Sequence, residues 1–191
     1  MLKPEDLLPL EAYARNRSRL RAEIIAHKKR RTVHIGEHVT LQFEDALLIR
    51  YQVQEMLRIE RIFEEAGIQG ELDAYNPLIP DGGNWKATML VEYPDADERR
   101  RMLARLKGVE RRVWVQVAGQ ARAYAIADED LERENEEKTS AVHFVRFELD
   151  EGMRAALQLG AALSVGIDHP HYRAGAQVAP DVRKSLVGDL A

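Results

Sequence analysis

The spacing of apolar and polar positions changes period several times along the chain, and each change marks an element. Pro4, followed by Glu5 and Asp6, suits a first helical turn, where a missing N–H costs nothing and carboxylates meet the positive end of the helix dipole. From Arg15 to Arg31 the basic residues Arg15, Arg17, Arg19, Arg21, Lys28, Lys29, Arg30 and Arg31 are opposed only by Glu23, so residues 1–31 read as a basic helical segment. The period then drops to two. Val33 and Ile35, a Gly36-Glu37 turn, and Val39, Leu41 and Phe43 predict a β-hairpin. Ala46 to Ala66 predicts one long helix, capped by Glu44 or Asp45 and closed by Gly67.

Gly70 to Asn84, with Pro77, Pro80, Gly82 and Gly83, predicts a long loop. A strand follows, with Trp85, Ala87, Met89, Val91 and Tyr93 on one face and Lys86, Thr88 and Glu92 on the other. Asp97 to Leu106 is a short charged helix, and Arg112 to Ala127 reads as two strands about a Gly119-Gln120 turn. Asp128 to Glu137 carries seven carboxylates and Arg133, a solvated helix or loop. Val142–Leu149 reads as a strand, Asp150–Leu159 as a capped helix and Leu163–Asp168 as a final strand; His169–Ala191 reads as a loop and a short helix. This order is neither strict βα alternation nor all-β. It predicts an α+β fold, a mainly antiparallel sheet of about seven strands with packed helices and an N-terminal helical segment. Residues 1–191 form a single domain, with 32–191 as its core. The helix between the last two strands would make one right-handed parallel crossover.

Composition narrows the function classes. A chain of 191 residues that is 45% hydrophobic and 31% charged is globular rather than disordered. With 28 Lys+Arg against 32 Asp+Glu, its net charge of −4 gives no global attraction to nucleic acid or acidic lipid. The absence of cysteine removes disulfides, zinc ribbons, thiolate-held iron–sulfur clusters and thiol nucleophiles together. No run approaches the roughly 18 apolar residues of a membrane span. The N-terminal residues lack the apolar core of a secretory signal, so a cytoplasmic protein with no membrane partner is expected.

Three groups of polar residues stand out. On the wheel of the helix predicted at 46–66, Leu48, Ile49, Val53, Met56, Ile59, Ile62, Phe63 and Ala66 form an apolar face, with Gln52 in its middle and Glu55 near its edge. A carboxylate there needs a strong donor, or else it lines a cavity. Asp168-His169-Pro170-His171-Tyr172 follows the last strand, and Pro170 keeps His169 extended. Asp168, His169 and His171, with His143 from the preceding strand, are acceptable ligand types for a divalent metal; the alternative is a surface loop in which histidine hydrogen-bonds locally. The loop from Tyr75 to Lys86 can form a pocket rim, with Asn84 and with Lys86 as an anchor for an anion, or simply a proline-stiffened turn.

Familiar catalytic motifs are missing. The chain has no G-x-x-x-x-G-K-[ST], G-x-G-x-x-G, H-E-x-x-H or Glu-x-x-His. Ala162-Leu163-Ser164-Val165-Gly166 departs from a nucleophile elbow at its first position, and no helix follows the serine. The basic segment Arg15–Arg31 is the best nucleic-acid signal of the chain and makes nucleic-acid binding a second alternative, though it has no aromatic residue between Tyr13 and Phe43 to stack bases. Its charge complements the acidic run 128–137, within one molecule or in a homodimer.

Several segments carry a family likeness: Tyr51-Gln52-Val53-Gln54-Glu55-Met56-Leu57-Arg58, Tyr75-Asn76-Pro77-Leu78-Ile79-Pro80-Asp81-Gly82, and Asn84-Trp85-Lys86-Ala87-Thr88. Arg111-Arg112-Val113-Trp114-Val115-Gln116-Val117, Lys138-Thr139-Ser140-Ala141-Val142-His143-Phe144 and Val165-Gly166-Ile167-Asp168-His169-Pro170 complete the set. Together they resemble the bacterial domain-of-unknown-function family 3501 over almost the whole chain. The resemblance brings no catalytic residues. It implies a place near redox or peroxide metabolism and oxidative stress, with a rubrerythrin-like or iron–sulfur oxidoreductase as partner. The expectation is therefore a non-catalytic accessory or interaction protein. The alternative is an enzyme, metal-dependent or acting on a small molecule, whose pocket gathers Gln52, Glu55, Asn84, Lys86, His143 and Asp168–His171.

Overall fold

A computed structural model describes residues 1–129, 133, 135 and 137–191. The chain divides into two compact units, residues 1–30 with 44–80 and residues 31–43 with 81–191. The first is helical. A 3₁₀ turn, Pro4–Asp6, precedes α1 (Leu10–Lys29), α2 (Ala46–Glu60) and α3 (Glu65–Tyr75). Asp45 caps α2, its Oδ1 accepting the Leu48 N–H at 2.9 Å.

Helix α2 stops short of the expected Ala66. Arg61 takes the left-handed conformation, φ 56°, and its N–H closes the helix on the Leu57 carbonyl. Gly67 and Gly70, expected to end one helix and open a loop, lie inside α3, where Ile68, Leu72 and Tyr75 continue a helical period and pack on the core of this unit. Ending α2 at Glu60 removes Ile62, Phe63 and Ala66 from its wheel, and the buried stripe turns toward Ile49, Val53 and Leu57. Gln52 is consequently exposed. Ile59 is 59% exposed, and Gln54, which lies outside the apolar face of the longer wheel, is only 3% exposed.

The second unit is built on two sheets. Strands β1 (Thr32–Ile35), β2 (Val39–Phe43), β3 (Asn84–Val91), β6 (Ile126–Ala127) and β7 (Val142–Glu148) form a five-stranded sheet in the order β1-β2-β3-β7-β6. Strands β4 (Val113–Val117), β5 (Arg122–Tyr124), β8 (Leu163–His169) and β9 (Tyr172–Gln177) form a four-stranded sheet in the order β5-β4-β8-β9. Helices α4 (Ala96–Arg105), α5 (Glu151–Gln158) and α6 (Pro180–Val187) complete it. The fold is α+β, with nine strands among the described residues rather than about seven. The two extra strands carry weak signals: β6 has two residues, and β9 alternates Arg173, Gly175 and Gln177 with the small Ala174 and Ala176.

Among the described residues every strand pairing is antiparallel. The expected parallel crossover through Asp150–Leu159 does not form, because β7 already has β3 and β6 on its two edges. Helix α5 instead passes the chain to the other sheet, where β8 pairs with β4 and β9. Inward residues of both sheets, among them Leu41, Trp85 and Phe147 from one and Val115, Val165 and Ile167 from the other, share a single apolar cluster. Trp85 donates its Nε1–H to the Leu186 carbonyl of α6 at 2.9 Å. Arg31, grouped by sequence with the basic helix, is a core residue of this unit. It is 1% exposed, donates to the carbonyls of Phe43 and Ser185, and pairs with Asp189. Of the acidic run, Asp130, Leu131, Glu132, Glu134 and Glu136 lie outside the described residues. Among the described residues no helix is long and apolar enough to cross a membrane.

Candidate functional site

Glu55 has the strong donors that the sequence required. Its carboxylate receives Arg17 as a two-pronged ligand, Nε and Nη2 each at 2.7 Å, and Arg58 through Nε at 3.3 Å and Nη2 at 3.2 Å. Tyr13 donates its hydroxyl to the same Oε1 at 2.6 Å. Hydrogen bonding from Arg17 is the main cause that holds the Glu55 pKa at about 2, and the Tyr13 hydroxyl is pushed well above its usual range, chiefly by burial. A carboxylate so held is a tie between α1 and α2, and it is a poor proton acceptor at neutral pH.

The Tyr75–Lys86 segment is ordered by its own polar groups. Asn84 donates through Nδ2 to Asp81 Oδ2 at 2.9 Å and to Glu148 Oε1 at 3.2 Å, which staples the turn at Asp81 to β7. Gly83 N–H donates to Asp81 Oδ1 at 2.9 Å, and this bond leads the causes that lower the Asp81 pKa. Lys86 points away from the apolar face of β3 and lies opposite Arg146 of β7. Its charge adds to the depression of the Asp81 and Glu129 pKa values.

His143 points into the core from β7. Its Nδ1 lies 2.6 Å from Asp128 Oδ2, and its Nε2 lies 3.1 Å from Thr139 Oγ1 and 3.0 Å from the Ser140 carbonyl. Carboxylate, imidazole and hydroxyl thus line up as they do in hydrolase triads. Thr139, however, is 1% exposed and shares Nε2 with a carbonyl, so no reacting carbonyl can reach its hydroxyl. Asp128 adopts φ 51° and also accepts the Phe144 N–H at 3.0 Å, with Arg133 Nε 3.3 Å away. Sequence reasoning placed Asp128 among solvated carboxylates; its left-handed backbone, the feature that marks it out, leaves no trace in composition.

The Asp168–His171 segment is a hairpin rather than a loop, since Asp168 and His169 end β8 and Tyr172 begins β9. His169 donates Nε2–H to the Lys107 carbonyl at 3.0 Å and accepts the His171 N–H on Nδ1 at 3.2 Å. Both ring nitrogens are engaged as those of a neutral imidazole, and burial holds its pKa below the usual value. His171 meets Arg105 Nη2 at 3.3 Å, and Asp168 accepts the Tyr124 hydroxyl at 2.6 Å. Beside them Trp114 lies over Gly166, where a Cβ would come within 2.2 Å of its Cζ2, and the Arg122 guanidinium covers the ring at 3.9 Å.

Gln52 and Glu55 thus belong to the helical unit, and Asn84, Lys86, His143, Asp168, His169 and His171 to the sheet unit. Among the described residues no three His, Cys, Asp or Glu side chains stand together as a metal set. Tyr13, Gln54, Asp128 and Trp114 are the structural partners that sequence reasoning missed. Gln54 was hidden by the overlong helix.

An α+β protein with two antiparallel sheets and a helical unit is the class these features define. A family model described as Protein of unknown function (DUF3501) matches residues 1–190, and the chain belongs to that family. It is similar to a solved structure from Burkholderia pseudomallei K96243, described as a novel protein of unknown function. The two are 59% identical, with a TM-score of 0.94 over 100% of this chain and 99% of that one. No curated protein matches.

Proposed function

We propose that this protein is a non-catalytic accessory protein that acts by binding. The observation that carries this reading is the state of Glu55, His143 and His169. Each is a residue type that could do acid–base or metal chemistry, and each has its polar atoms bonded inside its own unit. Among the large apolar side chains that the helical unit exposes are Ile59 and, across the turn after α2, Phe63, which is 67% exposed. The family resemblance makes an oxidoreductase of the rubrerythrin-like or iron–sulfur kind the partner to test first, with a second copy of this chain as the other outcome.

A photo-crosslinking benzoylphenylalanine placed at Phe63, in the full chain at native expression, tests this. The expected result is one discrete adduct with an oxidoreductase, absent when the probe sits at Leu159, which is 90% exposed in the sheet unit. The same adduct from both positions, or none from Phe63, would sink the reading. An adduct between two copies would replace the partner by a homodimer.

A further inference from the structure

The helical unit contains a cavity of about 180 Å³ that none of the residues singled out by sequence explains. Its walls are apolar: Tyr13, Leu20 and Ile24 from α1, Leu47 and Tyr51 from α2, and Leu8 from the segment before α1. An apolar cavity of roughly 150 Å³ holds one benzene ring, so this one has room for a ring and a small substituent. The walls are fixed in advance. Gln54 accepts the Leu8 N–H on Oε1 at 2.7 Å and donates Nε2–H to the Leu8 carbonyl at 3.2 Å, and Tyr13 is held by Glu55.

Charge decides what substituent the cavity takes. Glu23, which also lines it, is paired with Arg19 at 2.7 Å, and Asp6 accepts the Lys3 N–H at 2.8 Å. Asp6 keeps its negative charge, since a backbone N–H does not neutralise it; Arg50 is the cation of the lining, and among the described residues its side chain has no hydrogen bond or ion pair. Most arginines near carboxylates in this unit are spoken for, as Arg17 and Arg58 are by Glu55. A free guanidinium beside an apolar cavity of this size suits one ligand chemistry. We infer that the cavity binds a small carboxylate with a compact apolar body, an aromatic or branched acid, with its ring or branch among Leu20, Ile24 and Tyr51 and its carboxylate on Arg50. This inference does not depend on the accessory reading, because it concerns a site that the Phe63 cross-link leaves untouched.

The test uses the full chain and two isosteric probes, benzoate and benzamide, followed by NMR through the ring signals of Tyr13 and Tyr51. Benzoate is expected to bind with a Kd of about 1 mM, as suits nine heavy atoms at modest efficiency. Arg50→Gln should weaken benzoate about fivefold and leave benzamide unchanged, as expected for one partly exposed ion pair. Ile24→Trp fills the cavity and should abolish both. Should that variant fail to fold, Leu47→Trp at the more exposed wall blocks the same space. Equal affinity for the two probes, or a benzoate affinity indifferent to Arg50→Gln, would overturn the inference. So would binding that persists in a folded, filled variant, or no shift of either tyrosine.

Discussion

The helical unit and the sheet unit reach stability by different means. In the sheet unit one cluster of buried apolar side chains runs through both sheets, from Val33 to Leu186. In the helical unit the buried cluster is Ile49, Val53, Leu57 and Leu72, with partly buried side chains such as Ile62, Ile68 and Tyr75 packed against it. So small a core contributes little on its own, and this unit adds polar staples. Gln54 bonds both the N–H and the C=O of Leu8, and Asn76 does the same to Leu2, at 2.7 and 2.9 Å. A side-chain amide used in this way imitates a strand neighbour and gives the N-terminal segment backbone partners without a sheet. Glu55, and the His27 to Asp45 contact at 2.6 Å, bind α1 to the start and middle of α2. The lesson is that the helical unit relies on polar side chains to hold its elements together, whereas the sheet unit has a large apolar cluster for that purpose and adds polar ties such as Arg31 to it.

Removing the largest core side chain should break the comparison most severely. Trp85→Ala is expected to cost the sheet unit about 4 kcal/mol, through cavity formation and the orphaned Leu186 carbonyl. Chemical denaturation followed by hydrogen exchange should show the loss in the peptides of β2, β3, β7 and α6. Next, Glu55→Gln should cost the helical unit about 2 kcal/mol at neutral pH, a figure reduced for the partial exposure of Arg17. The folded carboxyl titrates near 2 against an ordinary 4.5, so its contribution is complete above pH 4.5 and is lost as pH falls toward 2. Acid unfolding of the helical peptides in the native protein should therefore be steep in that window and shallower in Glu55→Gln; identical curves would refute the assignment.

A smaller effect sharpens the comparison. Gln54→Ala should cost about 1.5 kcal/mol and raise exchange at the Leu8 amide, with no change in the sheet peptides. The smallest effect belongs to His169. Its folded pKa lies below the ordinary 6.5, so the unfolded chain takes up the proton first, and stability falls as pH drops below that value. The loss should be the smallest of the four and disappear in His169→Gln, read by thermal unfolding between neutral and mildly acid pH.

Much of this architecture was legible in the residues, and the failures have physical causes. Hairpin β1–β2 and strands β3, β4, β7 and β8 follow from clean alternation, because each buries one face in the shared cluster. Strand β9 escaped because its inward residues are alanines, and α3 because its glycines read as loop punctuation. The boundary of α2 mattered most. Arg61 ends the helix in a conformation usually left to glycine, and six extra residues on the wheel moved the apparent apolar centre onto Gln52 and away from Gln54. Glu55 was legible as a carboxylate in need of donors, but its donors sit 38 residues earlier, on α1, and three to its C-terminal side. Spacing alone does not reveal a pairing across two helices. The histidines were legible as chemistry-capable side chains. Their actual partners are main-chain groups, Thr139, Arg105 and an aspartate with a left-handed backbone, and no spacing in the sequence marks these pairings.

The Arg31–Asp189 pair makes the last turn of the described chain an internal part of the protein. Asp189 reaches a guanidinium that is itself sealed from water, and Ala191 N–H donates to the Gly82 carbonyl at 2.9 Å. Trimming the chain after Leu186, as is often done to tidy a terminus, would strand a desolvated cation and should be as damaging as a core substitution, on the order of 3 kcal/mol. Fusions and affinity labels on this protein therefore belong where they leave Asp189 in place, and a clipped preparation should be judged by its fold before its activity.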